Sequence, residues 1–274
     1  MHLSIELFPP ADAAGRKKLL NLTRRMSRLS PDYFSVTYGA GSSARGKTFA
    51  TVKELAESGL NVVPHLSMGV DGDSTAHDLL QGYSALGIRK ILALRGDGGA
   101  DRVSPRYAVE LVGFIRHHYD AEFQIQVAAY PESHPDSSTP EADLRWFKQK
   151  VDAGANAAIT QYFYNCDAYE NFCERCVRAG INIPVIPGVM PITNHDRLVN
   201  FSKKCGAEIP LWILKQMEQY KDDLDSLCSF GVDVVTSMCE RLRLLKVPAI
   251  HFYSMNQDKA VTKICTNLGL VKES

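Results

Sequence analysis

YFSVTYGAGSSA, residues 33–44, decides the fold because it has two readings. As a strand running into Gly39-x-Gly41-x-x-Ala44, it has the form of a dinucleotide-binding fingerprint that opens a doubly wound sheet. As one of a series of strand–helix units, it is a barrel strand. The fingerprint needs an acid at the end of the next strand to hold a ribose. That strand, NVVPHLS from Asn61, ends without one. No G-x-x-x-x-G-K-[ST] loop occurs either, which disfavours a P-loop nucleotidase.

The series supports the barrel. Apolar or β-branched runs begin at Leu3, Tyr33, Asn61, Lys90, Gln124, Ala157, Pro184 and Ala249. The first seven starts are 30, 28, 29, 34, 33 and 27 residues apart, the length of a strand–loop–helix–loop unit. Only the last interval breaks the rhythm, with helical patterns around 194–204, 210–220 and 224–245. The expectation is α/β: a single (β/α)8 TIM barrel over residues 1–274, with one or two extra helices before the eighth strand. Within it, Thr139 is placed to cap a helix that has Pro140 at its first position and Leu144, Phe147 and Val151 on one face.

Lys+Arg and Asp+Glu both number 31, so the charge carries no footprint for nucleic acid or an anionic membrane, and small-molecule partners are favoured. No signal-like N-terminus and no membrane-length apolar run is found, which predicts a cytoplasmic protein. Seven scattered cysteines suit reduced thiols. Cys173-x-x-Cys176 lies within a predicted amphipathic helix and lacks a second ligand pair, so no metal is expected.

Barrel chemistry sits at the C-terminal ends of the strands. Those ends offer Glu6, Thr37, His65, Asp97, Tyr130 with Glu132 and His134 beyond it, Gln161 and Tyr253. Each has a bland explanation as a packed or hydrogen-bonded core group; together they point at one rim. Glu6, in IELFPP, has apolar neighbours and two prolines, which would desolvate the carboxyl, raise its pKa and suit it to general-acid work. KILALRGDGG, residues 90–99, ends a buried-looking strand on an acid. An adhesion tripeptide, a polar turn and a rim carboxylate are all open readings of Arg95-Gly96-Asp97, although adhesion would require secretion.

In order, IELFPP, FSVTYGA, VPHLS, ILALRGD, VAAYPESHP, VDAGANAAITQYFY, VIPGVMPI and IHFYSMN resemble the methylenetetrahydrofolate reductase family of bacterial type, over nearly the whole chain. The resemblance implies an FAD-dependent barrel that reduces 5,10-methylenetetrahydrofolate with NADH or NADPH by ping-pong hydride transfer. FAD would lie among Thr37, Tyr38, Ala40, His65, Arg95, Gly96, Asp97, Tyr107, Ala108, Tyr130, His134, Asp143 and Lys150. Folate and nicotinamide would alternate near Glu6, Thr37, Asp97, Gln161, Phe201 and Tyr253. Glu6 and Asp97 would be catalytic: Glu6 protonates folate N10, and the Asp97 charge lowers the flavin potential. A homo-oligomer is also expected. Four positions depart from the family pattern: Trp146 and Gln149 stand near the FAD phosphates, and Arg197 and Gln257 near the folate. The first two motivate a flavin-free alternative on the same barrel.

Overall fold

The computed structural model describes residues 1–38, 42–68, 72–95 and 107–271. Eight parallel strands close in sequence order into a barrel: β1 (Leu3–Leu7), β2 (Tyr33–Val36), β3 (Val62–Ser67), β4 (Lys90–Leu94), β5 (Gln124–Ala129), β6 (Ala157–Tyr162), β7 (Val185–Val189) and β8 (Ile250–Tyr253). The closing pair is β1 with β8, where Glu6 stands opposite Tyr253. The second strand therefore belongs to a barrel and not to an open sheet. Gly39 and Gly41 lie outside the described residues.

Helices alternate with the strands: α1 (Ala13–Met26), α2 (Ser42–Glu57), α3 (Gly72–Ala85), α4 (Ala108–Tyr119), α5 (Pro140–Asp152) and α6 (Cys166–Arg178). Three helices fill the long interval, α7 (His195–Cys205), α8 (Leu211–Gln219) and α9 (Leu224–Leu244), before α10 (Lys259–Asn267) follows β8. Because α9 packs against both α6 and α10, it takes the ring position, and α7 and α8 are the extra pair. As expected, Thr139 caps α5 by accepting from the Ala142 amide at 3.1 Å. Cys173 and Cys176 lie on α6. No helix among the described residues is long and apolar enough to cross a membrane.

Strand alternation divides the core. Leu3, Ile5, Leu7, Ile91, Ala93, Ile125 and Val127 face the helices in one large core. Tyr33, Val63, Leu92, Ile159 and Ile186 form a separate cluster inside the barrel. The helix side is held by stripes such as Tyr169, Phe172 and Cys176 of α6; burying Phe172 stabilises by ~1.5–3 kcal/mol. The barrel side is polar towards the C-terminal ends, where Ser35, His65, Ser67 and Glu6 are buried. The run from Ala249 stops being strand after Tyr253 because Met255 and Asn256 take positive φ (51° and 54°) and turn the chain.

Candidate active site

Glu6 projects from β1 and is 7 % exposed. Burial pushes its carboxyl up to about 8, as its apolar setting in the sequence suggests. Oε2 lies 3.7 Å from His65 Nε2, too long for a hydrogen bond. His65 is itself held down to about 3, by burial and then by the nearby His251, so at neutral pH both partners are uncharged and no cation stands beside the acid. Glu6 is fixed through its backbone. Ser254 Oγ donates to the Glu6 carbonyl at 2.6 Å, and the Asn256 side chain spans both the N–H (2.9 Å) and the C=O (3.0 Å) of Phe8. Deeper in the barrel, Ser4 Oγ and His251 Nδ1 are 2.7 Å apart.

Tyr253, opposite Glu6, reaches over β7 to donate its hydroxyl to the Thr160 carbonyl of β6 at 2.7 Å. This crossing needs glycine at 188, where a Cβ would fall 2.2 Å from Thr160 O and 2.5 Å from the Tyr253 ring. Thr160 Oγ1 in turn accepts from the Gly188 amide at 2.9 Å, next to the register shift between β6 and β7. Gln161 Oε1 accepts from the Tyr162 amide at 3.0 Å, leaving Nε2 without a bond among the described residues. Phe201 of α7 stacks on Tyr162 (5.9 Å between centroids, 11°), whose hydroxyl meets Ser202 Oγ at 2.8 Å.

A second group gathers at the ends of β4 and β5. Arg95 donates to Asp136 at 2.8 Å. His134 Nδ1 accepts from the Asp136 amide at 3.0 Å, and the His134 ring meets Tyr130 edge-on at 4.6 Å. Asp143 accepts from the His134 amide (3.3 Å) and from Ser137 Oγ (3.0 Å). Lys150 donates to the Ala128 carbonyl at 2.5 Å; burial brings its ammonium down to about 8, while Asp143 opposes the shift. At the start of α4, Tyr107 stacks on Trp146 (5.6 Å, 14°), and both rings are exposed. Thr37 and Tyr38 follow β2, the Thr37 amide donating to the Leu7 carbonyl at 2.9 Å.

Glu6, His65 and Tyr253 thus share one floor, with Gln161 and Phe201 on either side of Tyr162 in the neighbouring wall. Arg95, Tyr130, His134, Asp143 and Lys150 form the other cluster, and Tyr107 and Ala108 open the helix beside it. Ala40, Gly96 and Asp97 lie outside the described residues. Arg197 and Gln257 are exposed, and their backbone amides cap the local turns at Asn194 and Ser254. The sequence reading missed Ser254 and Asn256, which tie the end of β8 to the end of β1 across 248 residues. Only their place after the last strand hinted at a role. The same reading set Glu132 among the strand-end groups without a particular role, and the side chain binds the turn after α7.

A closed parallel barrel with a desolvated, neutral acid at its strand ends and a separate cluster of cations and aromatic rings has the layout of a barrel enzyme. The family described as methylenetetrahydrofolate reductase matches residues 1–269, and the chain belongs to it. It is therefore an oxidoreductase of folate one-carbon chemistry. The 5,10-methylenetetrahydrofolate reductase of Buchnera aphidicola subsp. Acyrthosiphon pisum is 39 % identical over 97 % of this chain and 91 % of its own. That of Salmonella typhimurium is 37 % identical over 98 % and 91 %. Among solved structures, a Clostridium thermocellum protein that binds two copies of 5-methyl-5,6,7,8-tetrahydrofolic acid shares the fold, with a TM-score of 0.65 at 15 % identity over 99 % of this chain and 93 % of that one.

Proposed function

We propose that the protein reduces 5,10-methylenetetrahydrofolate to 5-methyltetrahydrofolate with NADH or NADPH through FAD, the chain from residue 1 to 274 acting as one catalytic unit. The observation that carries this reading is Glu6, a carboxyl kept protonated near neutral pH by burial at the strand ends. The donor set suits FAD: Arg95, His134 and Lys150 offer cationic and hydrogen-bonding groups to an anionic diphosphate, and the exposed Tyr107–Trp146 stack offers an aromatic surface. Thr37, Tyr38 and His65 would line the inner edge, with Ala40, Gly96, Asp97, Ala108, Tyr130 and Asp143 completing the site. When bound, FAD supplies the ring that takes hydride from nicotinamide and passes it to folate.

The rest of the mechanism belongs to this chain's residues. Glu6 holds a proton and gives it to N10 of the folate, opening the five-membered ring to the 5-iminium electrophile. Neutral His65 adds no positive charge that would strip that proton from Glu6. Tyr253 and Phe201 would wall the folate side, and Gln161 Nε2 would donate to the substrate. Oxidation of the nicotinamide requires no proton from Glu6, so the two half-reactions place different demands on the site. A homo-oligomer in the cytoplasm is the proposed working form.

Anaerobic absorbance tests the reading. The FAD-loaded protein should bleach with NADH or NADPH and recover its colour when 5,10-methylenetetrahydrofolate is added. Added FAD whose spectrum and fluorescence the protein leaves unperturbed would overturn the flavin route and favour direct transfer.

A further inference from the structure

Glu132 lies two residues beyond Tyr130 and takes no part in the proton or hydride chemistry above. Its Oε2 accepts from the Glu208 amide at 2.8 Å, fastening the loop after β5 to the turn that leaves α7. Nothing about stability recommends an acid there. Oε1 is buried and has no hydrogen-bond partner, and burial, with Glu208 nearby, pushes the carboxyl up to about 7 against the hydrogen bond that lowers it. A residue that works against local stability at the edge of a candidate site is expected to serve the site.

Its surroundings say what it serves. The turn after α7 passes through Gly206 at φ +71°, so close to the loop that a Cβ would meet Pro135 Cγ at 2.7 Å. Four residues earlier, Ser202 bonds Tyr162, and Phe201 stacks on the same ring. Glu132 also lines a small cavity, about 10 Å³, with Tyr130, Gln161, Tyr162 and Cys205, room for about one water molecule at most. One carboxylate therefore joins the loop that carries Tyr130 and His134 to the helix that carries Phe201.

We propose that Glu132 is a positioning residue for the folate side of the site, a clasp that holds α7 so that Phe201 and Tyr162 keep their stack beside Gln161. The proposal rests on the folate reading above. It acts on binding of the folate in ground and transition states alike, which predicts a change in KM with little change in kcat.

The test compares Glu132→Ala, which removes the acceptor, with Glu132→Gln, whose amide oxygen can still accept from Glu208. In Glu132→Ala the KM for 5,10-methylenetetrahydrofolate should rise on the order of tenfold, the scale of one hydrogen bond to a charged group. The kcat and the reductive half-reaction with nicotinamide should stay near parent values, and Glu132→Gln should recover most of the loss. In the cofactor-free protein, amides of residues 195–208 should exchange hydrogen faster in Glu132→Ala and at the parent rate in Glu132→Gln. A working parent enzyme with an unmoved KM in Glu132→Ala defeats the clasp alone. Unchanged exchange, or a glutamine variant as impaired as the alanine one, also defeats it. A parent that fails to reduce the folate defeats the reaction and the clasp with it.

Discussion

The floor of the barrel and the cluster at the ends of β4 and β5 lie in one molecule yet differ in whether charged partners join burial in setting their protonation states. On the floor, burial dominates: Glu6 is driven up to about 8, and His65, with a smaller contribution from His251, and His251 itself are driven down to about 3. No ionised partner intervenes. In the cluster, charged partners act beside burial: the Arg95 guanidinium holds Asp136 below the usual carboxylate range, burial and then Arg95 lower His134, and Asp143 offsets part of the burial effect that dominates at Lys150. Desolvation produces a neutral acid with a proton to give, whereas pairing produces oriented charges for an anionic ligand.

Glu6→Gln gives the largest effect and tests the floor directly. Gln keeps the size but has no proton to deliver, so folate reduction should fall by roughly 10²–10⁴-fold, while flavin reduction by nicotinamide persists in stopped-flow absorbance. Equal losses in both half-reactions would remove the acid role. Stability should move the other way. Below pH 4.5 the carboxyl is protonated in the folded and unfolded chain alike. Between 4.5 and about 8 the unfolded chain ionises while the folded one keeps its proton, so parent stability falls as pH rises through this window and stays low above it. At ~1.4 kcal/mol per unit the loss amounts to several kcal/mol. The melting temperature of Glu6→Gln relative to the parent should therefore climb between pH 5 and pH 8, and a constant difference would mean that Glu6 is not desolvated.

Gly188→Ala strikes the wall of the floor. The added methyl group meets the backbone Thr160 O at 2.2 Å and the Tyr253 ring at 2.5 Å, so β6 and β7 must move apart there and Tyr253 must give way and lose its bond to Thr160. Overpacking of this kind costs ~1–3 kcal/mol, and the hydrogen bond about 1 more. Denaturant unfolding should show the loss. It should also show a flatter pH dependence, because a displaced Tyr253 admits water to Glu6. A variant as stable as the parent would mean that the crossing is loose and the floor is not sealed by it.

The floor was the more legible of the two regions. A strand period of about 30 residues places Glu6, His65, Gln161 and Tyr253 at strand ends without reference to any contact, and the apolar neighbours of Glu6 foretell its burial. The cluster required more. Tyr130 and His134 stood at the end of the fifth strand, but Arg95, Asp143 and Lys150 came from the family resemblance, and the bonds of Arg95, His134 and Asp143 involve Asp136 and Ser137, which no periodicity singles out. Least legible were the clasps: Asn256 on Phe8, Ser254 on Glu6 and Glu132 on Glu208. Each is a side chain reaching a backbone group 76 or 248 residues away, so its meaning depends on how the barrel closes. Asp97, whose place after β4 posed the sharpest sequence question, lies outside the described residues.

Asp136→Asn carries the smallest expected effect and probes the cluster with the least disturbance. Asp136 is 65 % exposed on its side chain and Arg95 37 %, so the pair sits largely in water, where such ion pairs contribute ~0–1 kcal/mol. Melting temperature should scarcely move, and what movement there is should shrink at about 1 M salt as the screening length falls to ~3 Å. Binding should respond differently. Asp136 is a negative charge facing both Arg95 and His134, and replacing it frees the Arg95 guanidinium and removes a like charge from an incoming diphosphate, so FAD should bind a few-fold tighter at low salt, with the gain fading as salt is added. Fluorescence quenching across a salt series measures this. A stability loss as large as that of Gly188→Ala would instead make the cluster a structural brace, and the contrast between a desolvated floor and a ligand-holding cluster would no longer stand.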